Sequence, residues 1–292
     1  MVGVQLDNMA ALALVPEHLP AYVRAISGMD VHFCAGCPCY VGQGGEAVLV
    51  GYPPDLLNDG TVWTPDGETR VRAVVDKAVA AALSLPQVDI RQITVLAPVR
   101  PSAAPDHESQ AGGASEERDI YWALPLPLPH VLPQKVRNML TSASRLARIE
   151  QHAGANCWTD AHRELVRHFC TSHAGLEAGS VYIFDHLGDW LHASRHAQVV
   201  SARAHDGQLL ASAVGDFTSL DTAFYMFAFR EPHCPPGVAD LLLHRIAQEA
   251  MRRGHVRLNL GLGINAGVTF FKKKWGAREL FPLVTTSWRV GA

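Results

Sequence analysis

"FYMFAFREPHCPPGVADLLLHRIAQEAMRRGHVRLNLGLG", Phe224 to Gly263, reads as strand, helix, strand. With Asp221–Ala223 before it, the aromatic first part is a strand, the state Tyr and Phe favour. The helix has Pro235 and Pro236 at its start and Gly254 at its stop, and Val238, Leu241, Leu242, Ile246 and Ala250 form one stripe. In the last part Val256, Leu258, Leu260 and Leu262 alternate with Arg257, Asn259, Gly261 and Gly263, which predicts a strand with one polar face.

Downstream stands "GVTFFKKKWGA", Gly267–Ala277, which predicts a short helix, and then "ARELFPLVTTSWRV", a closing strand or pair of strands. In a helix Lys272, Lys273 and Lys274 point about 100° apart and cannot share a face. Phe270, Phe271 and Trp275 are expected to take the buried sectors, which steers one of the three lysines toward a cleft. The alternative is a solvated basic turn that compensates a helix C-terminus. Upstream, "VVSARAHDGQLLASAVGDF" is a hairpin around Asp206-Gly207. "TDAHRELVRHFCTSHAGL" is a helix capped by Thr159, with Asp160 in its first turn. "PQKVRNMLTSASRLARIEQ" is a helix after Pro133 that carries Lys135, Arg137, Arg145 and Arg148.

The first part of the chain shows a strand at Glu46–Pro53, an amphipathic helix with Val71, Val74, Val75, Ala78, Val79 and Ala82 on one side, and strands in "QITVLAPVRP" and "DIYWALPLPLP". Between these two strands Arg100 to Asp119 has no apolar period and reads as a mobile insertion, a surface loop or a lid.

The chain has 292 residues, 48% hydrophobic and 18% charged, with net charge -3, which suits a globular protein and excludes a global basic field for nucleic acid. No apolar run reaches the ~20 residues of a membrane helix. The start of the chain lacks a basic region and carries Asp7, so it does not read as a secretory signal, and a cytoplasmic protein with reduced thiols is expected. "HFCAGCPCY" offers His32, Cys34, Cys37 and Cys39, either a compact metal-ligand set or a Cys-rich turn or reactive thiol pair. All four lie within eight residues and no second paired half follows, so no metal is assigned. His162, His168 and His173 lack the spacing of a metal motif and read as surface or cap residues.

The order of elements from Leu132 to Arg289 resembles the GNAT superfamily of acyltransferases, in particular its tandem branch with the Fem-type aminoacyltransferases. "KVRNMLTSASRLARIE" is similar to the basic helix opening the second half of those proteins, the strand–helix–strand unit to their core, and "GVTFFKKKWGA" to their closing Phe-Lys-x-x-(aromatic)-Gly signature. The resemblance implies an α/β (α+β) fold of two GNAT-like halves, 1–131 and 132–292, with mixed central sheets flanked by helices. It implies transfer of an acyl group from acyl-CoA, as co-substrate rather than tightly bound cofactor, to a small-molecule or peptide amine. The Fem-type alternative is an aminoacyl-tRNA donor and a new peptide bond. A third reading is a non-catalytic binding protein with this fold, since the usual glycine-rich phosphate loop is replaced by "REPHCPPGVADLL".

By that resemblance the donor arm lies along Phe227, Ala228 and Phe229, with Arg230, Asn265, Phe271 and Lys274 also around the donor. Gly237, Val238 and Ala239 are the N–H groups left for a phosphate at a helix N-terminus. Lys272, Asn259 and Tyr225 are the candidate catalytic residues: Lys272 for a phosphate or oxyanion, Asn259 for a carbonyl or acceptor group, Tyr225 to protonate a leaving thiolate. Asn259 could equally satisfy a neighbouring backbone group at a strand end, and Tyr225 could be a packed sheet residue. Nothing in the sequence indicates an oligomeric state.

Overall fold

The structure is a computed structural model that describes residues 2–57, 65–105, 114–154, 156–173 and 175–291. In chain order the helices are α1 (Val2–Ala11), α2 (Pro20–Ser27), α3 (Pro54–Leu57), α4 (Pro65–Leu83), α5 (Gln134–Ala143), α6 (Asp160–Ser172), α7 (Ala178–Asp185), α8 (Leu187–Ala193), α9 (Val238–Arg252) and α10 (Ala266–Lys274). The strands are β1 (Asp30–Cys34), β2 (Cys37–Val41), β3 (Glu46–Val50), β4 (Gln92–Ala97), β5 (Ser115–Pro125), β6 (Arg148–Ala153), β7 (Gln198–Arg203), β8 (Leu209–Asp216), β9 (Thr222–Arg230), β10 (Arg257–Leu262) and β11 (Arg278–Arg289). The chain divides into two compact units, each with parallel and antiparallel strands flanked by helices. One comprises Met1–Ile26, Ala123–Gly261 and Asn265–Arg278; the other comprises Ser27–Trp122, Leu262–Ile264 and Glu279–Ala292. This division differs from the expected blocks 1–131 and 132–292, because the N-terminal helices pack with the later part of the chain and β11 with the earlier part.

In the unit with β11 the strand order is β1-β2-β3-β4-β11, antiparallel except where β3 and β4 run parallel. α4 lies on β1, β2 and β3 through Val71, Val75, Ala78, Val79 and Ala82, which are buried. The expected stripe is thus present, with Val74 half-buried at its margin. Ala35 and Gly36 turn β1 into β2 and put His32 opposite Cys39 and Cys34 opposite Cys37. The three thiols are free and buried, and Cys37 is pushed up to about 12 by burial and by Cys34. Among the described residues no group of His, Cys, Asp or Glu could hold a metal ion. Burial also leaves the reactive-thiol reading without access for a reagent.

The segment expected as one long loop is mostly anchored. Arg100 donates to the Ala104 and Pro105 carbonyls and pairs with Glu116 at 3.2 Å. Ser115–Asp119 belong to β5, which begins four residues earlier than its apolar part suggests, and residues 106–113 lie outside the described residues. Asp119 accepts from the Gly263 and Ile264 N–H groups, both at 3.0 Å, and so fixes the turn before α10.

In the unit with α1 the strand order is β10-β9-β8-β7-β6, antiparallel except for β9 and β10. Every residue of β8 is buried, so helices cover both of its faces. α9 packs on β7, β8 and β9, and α6 on β8 and β9. The helix read through Gln151 stops at Ala143, and Arg148–Ala153 form β6 at the end of the strand order, where exposed Arg148 suits an edge. Neither β6, α7, α8 nor the N-terminal helices show a strong period in the sequence. Leu19, Tyr22 and Ile26 nevertheless join Trp158 and Trp190 in the core.

His162 caps α6 as expected but is not a surface residue. It is 2% exposed, and its ring nitrogens meet Thr159 and, at 2.8 Å, the Ser201 hydroxyl. Burial, then the Arg203 charge, lowers its pKa from 6.5 to about 4. The folded state therefore refuses a proton that the unfolded chain accepts: the His162 contribution to stability is intact above pH 6.5 and drains away as pH falls toward 4. Unfolding midpoints measured across that window should fall more steeply in the native protein than in His162→Gln.

Candidate active site

β9 and β10 run parallel but share only the register pairs Arg257 with Thr222, Leu258 with Ala223 and Asn259 with Phe224. β9 continues to Arg230 and stays paired with β8 throughout, so from Tyr225 onward its other edge has no partner strand among the described residues. Two local features accompany this parting. Gly215 stands opposite Tyr225 and Val214 opposite Phe227, which makes Met226 the extra residue of a β-bulge. In β10, Gly261 has φ 74, a left-handed conformation that glycine takes without a Cβ penalty.

Asn259, 1% exposed, sits where the strands part. Its Nδ2 donates to the Leu14 carbonyl at 2.9 Å, and its Oδ1 accepts from the Gly261 N–H at 2.7 Å. Both ends of the carboxamide are thus spent on backbone, the strand-end arrangement rather than a group held out for a substrate carbonyl. Lys272, 4% exposed, points inward from α10, and its Nζ donates to the Gly261 carbonyl at 2.9 Å. Lys272, Asn259 and the parting of the strands thus meet at Gly261. Tyr225 is half-buried and opens the unpaired stretch of β9; burial, then the Asp240 charge, raises its phenol pKa above 10, so it remains protonated at neutral pH.

The residues expected around the donor divide. The Phe227 and Phe229 rings are stacked at 6.3 Å and meet Phe184 edge-on at 5.9 and 5.1 Å, so these side chains build core while only their main chain borders the gap. Arg230 is exposed at the end of β9. Asn265 caps α10, its Oδ1 accepting from the Val268 N–H at 3.0 Å. Lys274 reaches Asp240 at 2.5 Å and lies over the Phe271 ring at 4.9 Å. Trp275 Nε1 donates to the same Asp240 oxygen at 2.8 Å. Trp275 is buried as expected, but Phe270 is 59% exposed. The inward sectors of so short a helix go to Lys272 and Trp275, and the Phe270 ring faces outward with the Lys135 ammonium 5.1 Å from its centroid.

The expected phosphate cradle is largely filled. Gly237 has φ 87, and a Cβ there would stand 2.6 Å from the Met139 carbonyl of α5. The Val238 N–H donates to the Pro235 carbonyl at 3.3 Å, and Ala239 is half-buried. Asp240, in the first turn of α9, puts a carboxylate where a phosphate would be drawn, and is itself tied to Lys274 and Trp275. The sequence reading missed Asp240; an acidic residue three places after a helix-starting glycine was the available signal.

No family model matches the chain, and no curated protein matches it. Among solved structures, the C-terminal DUF2156 domain of an Agrobacterium fabrum protein, provisionally assigned as a lysylphosphatidylglycerol synthetase, is similar with TM-score 0.59 and 14% identity over 97% of this chain and 90% of that one. FemX has TM-score 0.52 and 12% identity over 85% and 83%. A tandem GNAT protein from the clavulanic acid biosynthesis pathway has TM-score 0.51 and 14% identity over 100% and 95%. Identities this low speak for fold alone: the chain has the GNAT-like fold of the tandem, Fem-type kind.

Removing Asp240 strands the Lys274 ammonium, whose side chain is only 11% exposed. Asp240→Ala should cost about 3–5 kcal/mol in urea unfolding, and Asp240→Ala with Lys274→Met should recover part of that loss. Gly237→Ala forces a Cβ onto backbone at positive φ and should cost at least about 1–2 kcal/mol in the same assay.

Proposed function

We propose that this protein transfers an activated acyl group to an amine in the gap between β9 and β10. The observation that carries the reading is the end of their pairing at Asn259 and Phe224, with the Lys272 ammonium held at the Gly261 carbonyl beside it. The acceptor amine attacks the donor carbonyl, and the carbonyl oxygen gains negative charge in a site of low dielectric. The unpaired β9 main chain and the Lys272 ammonium stabilise that oxyanion. The bond to the leaving group breaks, Tyr225, protonated at neutral pH, supplies that group's proton, and the proton shed by the attacking nitrogen restores the Tyr225 phenol.

The donor was expected first as acyl-CoA. The closed start of α9 argues against a CoA pyrophosphate there and favours the second donor, aminoacyl-tRNA, as the Fem-type resemblance implies. The contact between Lys135 and Phe270 supports it further, since it joins the start of basic α5 to lysine-bearing α10 beside exposed Lys273, three residues on from Phe270. Cationic side chains beside an exposed ring suit a single-stranded nucleic-acid end. The amine acceptor is a small molecule or a peptide.

Purified protein, mixed with aminoacyl-tRNA or acyl-CoA and a panel of amines, should form amide from the tRNA donor. Lys272→Ala should lower kcat about 10²–10³-fold with unchanged far-UV circular dichroism and retained donor binding. CoA should leave the melting midpoint where it is, since only a ligand of the folded state raises it. A rise with acetyl-CoA would restore the first donor. No turnover with either donor, with binding intact, would leave the non-catalytic reading.

A further inference from the structure

Asn259 and Lys272 never touch in the contacts described above, yet both end on Gly261. The Asn259 Oδ1 holds the Gly261 N–H at 2.7 Å, the peptide N–H that directly follows Leu260. The Gly261 carbonyl, on the other side of a Cα with φ 74, receives the Lys272 Nζ at 2.9 Å. A hydrogen bond from a side chain to the N–H two residues on fixes the local turn. Here it fixes the direction in which the next carbonyl points. An added Cβ at Gly261 would meet nothing within 4 Å, so the glycine is there for its positive φ and not for close packing, and the Asn259 hydrogen bond holds its N–H in that turn. The far end of the same carboxamide is tied to Leu14, 245 residues earlier, which stops Asn259 from rotating.

We propose that Asn259 is a positioning residue: acting through Gly261, it aims the carbonyl that holds the Lys272 ammonium at the mouth of the β9–β10 gap. The catalytic consequence rests on the acyl-transfer reading, while the placement of Lys272 does not. Loss of the Asn259 carboxamide frees Gly261 to leave φ 74, the carbonyl swings, and the buried ammonium loses its hydrogen bond to that carbonyl.

The test is amine labelling of the intact protein with acetic anhydride at trace level, with Lys272 followed by peptide mass spectrometry. Lys272 in the native protein should react at least tenfold more slowly than exposed Lys273. Asn259→Ala should raise the Lys272 rate about tenfold. Asn259→Asp keeps an oxygen for the Gly261 N–H and gives up the donor to Leu14, so it should leave Lys272 close to its native rate although the fold is weakened. Ser219→Ala is the control for weakening alone: the Ser219 hydroxyl donates to the Ala11 and Ala13 carbonyls and belongs to the same N-terminal attachment without touching Gly261. It should leave Lys272 protected. Equal exposure of Lys272 in Ser219→Ala and Asn259→Ala, or full protection in Asn259→Ala, would overturn the proposal. With an active donor in hand, Asn259→Ala should lower kcat with KM little changed, and Ser219→Ala should leave both alone. Absence of any transfer by the native protein would remove the acyl-transfer reading and leave the labelling result to decide the placement.

Discussion

Parallel strands that separate leave N–H and C=O groups without a ladder, and buried main-chain groups without partners are costly. Everything distinctive about this protein follows from how that debt is handled where β9 leaves β10. On the β10 side the problem is settled at once. Gly261 turns, its N–H goes to Asn259 and its carbonyl to Lys272. On the β9 side it is left open, for among the described residues the strand runs on to Arg230 with only β8 beside it. One edge is satisfied and the other is left open, the asymmetry on which the proposed acyl transfer rests.

The lysine run makes sense in these terms. Three successive lysines at helical spacing cannot do one job, and here they do three. Lys272 is buried against Gly261, Lys273 faces out, and Lys274 is paired with Asp240. The two aromatic residues before them divide likewise, Phe271 beneath the Lys274 ammonium and Phe270 beneath that of Lys135. Trp275 then seals the turn by donating to Asp240. The short α10 is thereby locked to the first turn of α9, and the position of Lys272 is set from both of its ends.

Much of this was legible in the sequence, and the limits are physical. The β9–α9–β10 unit could be read because its signals are local: prolines and a glycine bound the helix, and alternation marks the strand after it. That one of three lysines turns inward followed from counting sectors on a short helix, and that it is Lys272 followed from its match to the Phe-Lys position of the Fem-type signature. The bulge at Met226 was not legible, because aromatic residues stand on both sides of it and hide the slip in alternation. Asn259 was visible as a polar residue on a strand face, but its role depends on a carbonyl 245 residues away, and a carbonyl carries no sequence signature. The N-terminal helices escaped for the same reason: Leu19, Tyr22 and Ile26 find their partners in Trp158 and Trp190, far along the chain. The two readings of "HFCAGCPCY" were left open by spacing alone and separate only when a hairpin buries the thiols.

The start of α9 shows how one local rule can point two ways. A helix N-terminus attracts negative charge, and the sequence offered a glycine and free N–H groups to receive it from a phosphate. The same field attracts a carboxylate already in the chain. Asp240 lies in that first turn, is neutralised by Lys274 at 2.5 Å, and is shielded from water. A phosphate arriving there would meet a buried carboxylate whose compensating cation is already engaged, and α5 packed over Gly237. In the proposed reaction the donor brings its phosphates to another surface. The outward lysines and the exposed Phe270 ring, on the opposite side of α10 from Lys272, are a surface of the right charge for them.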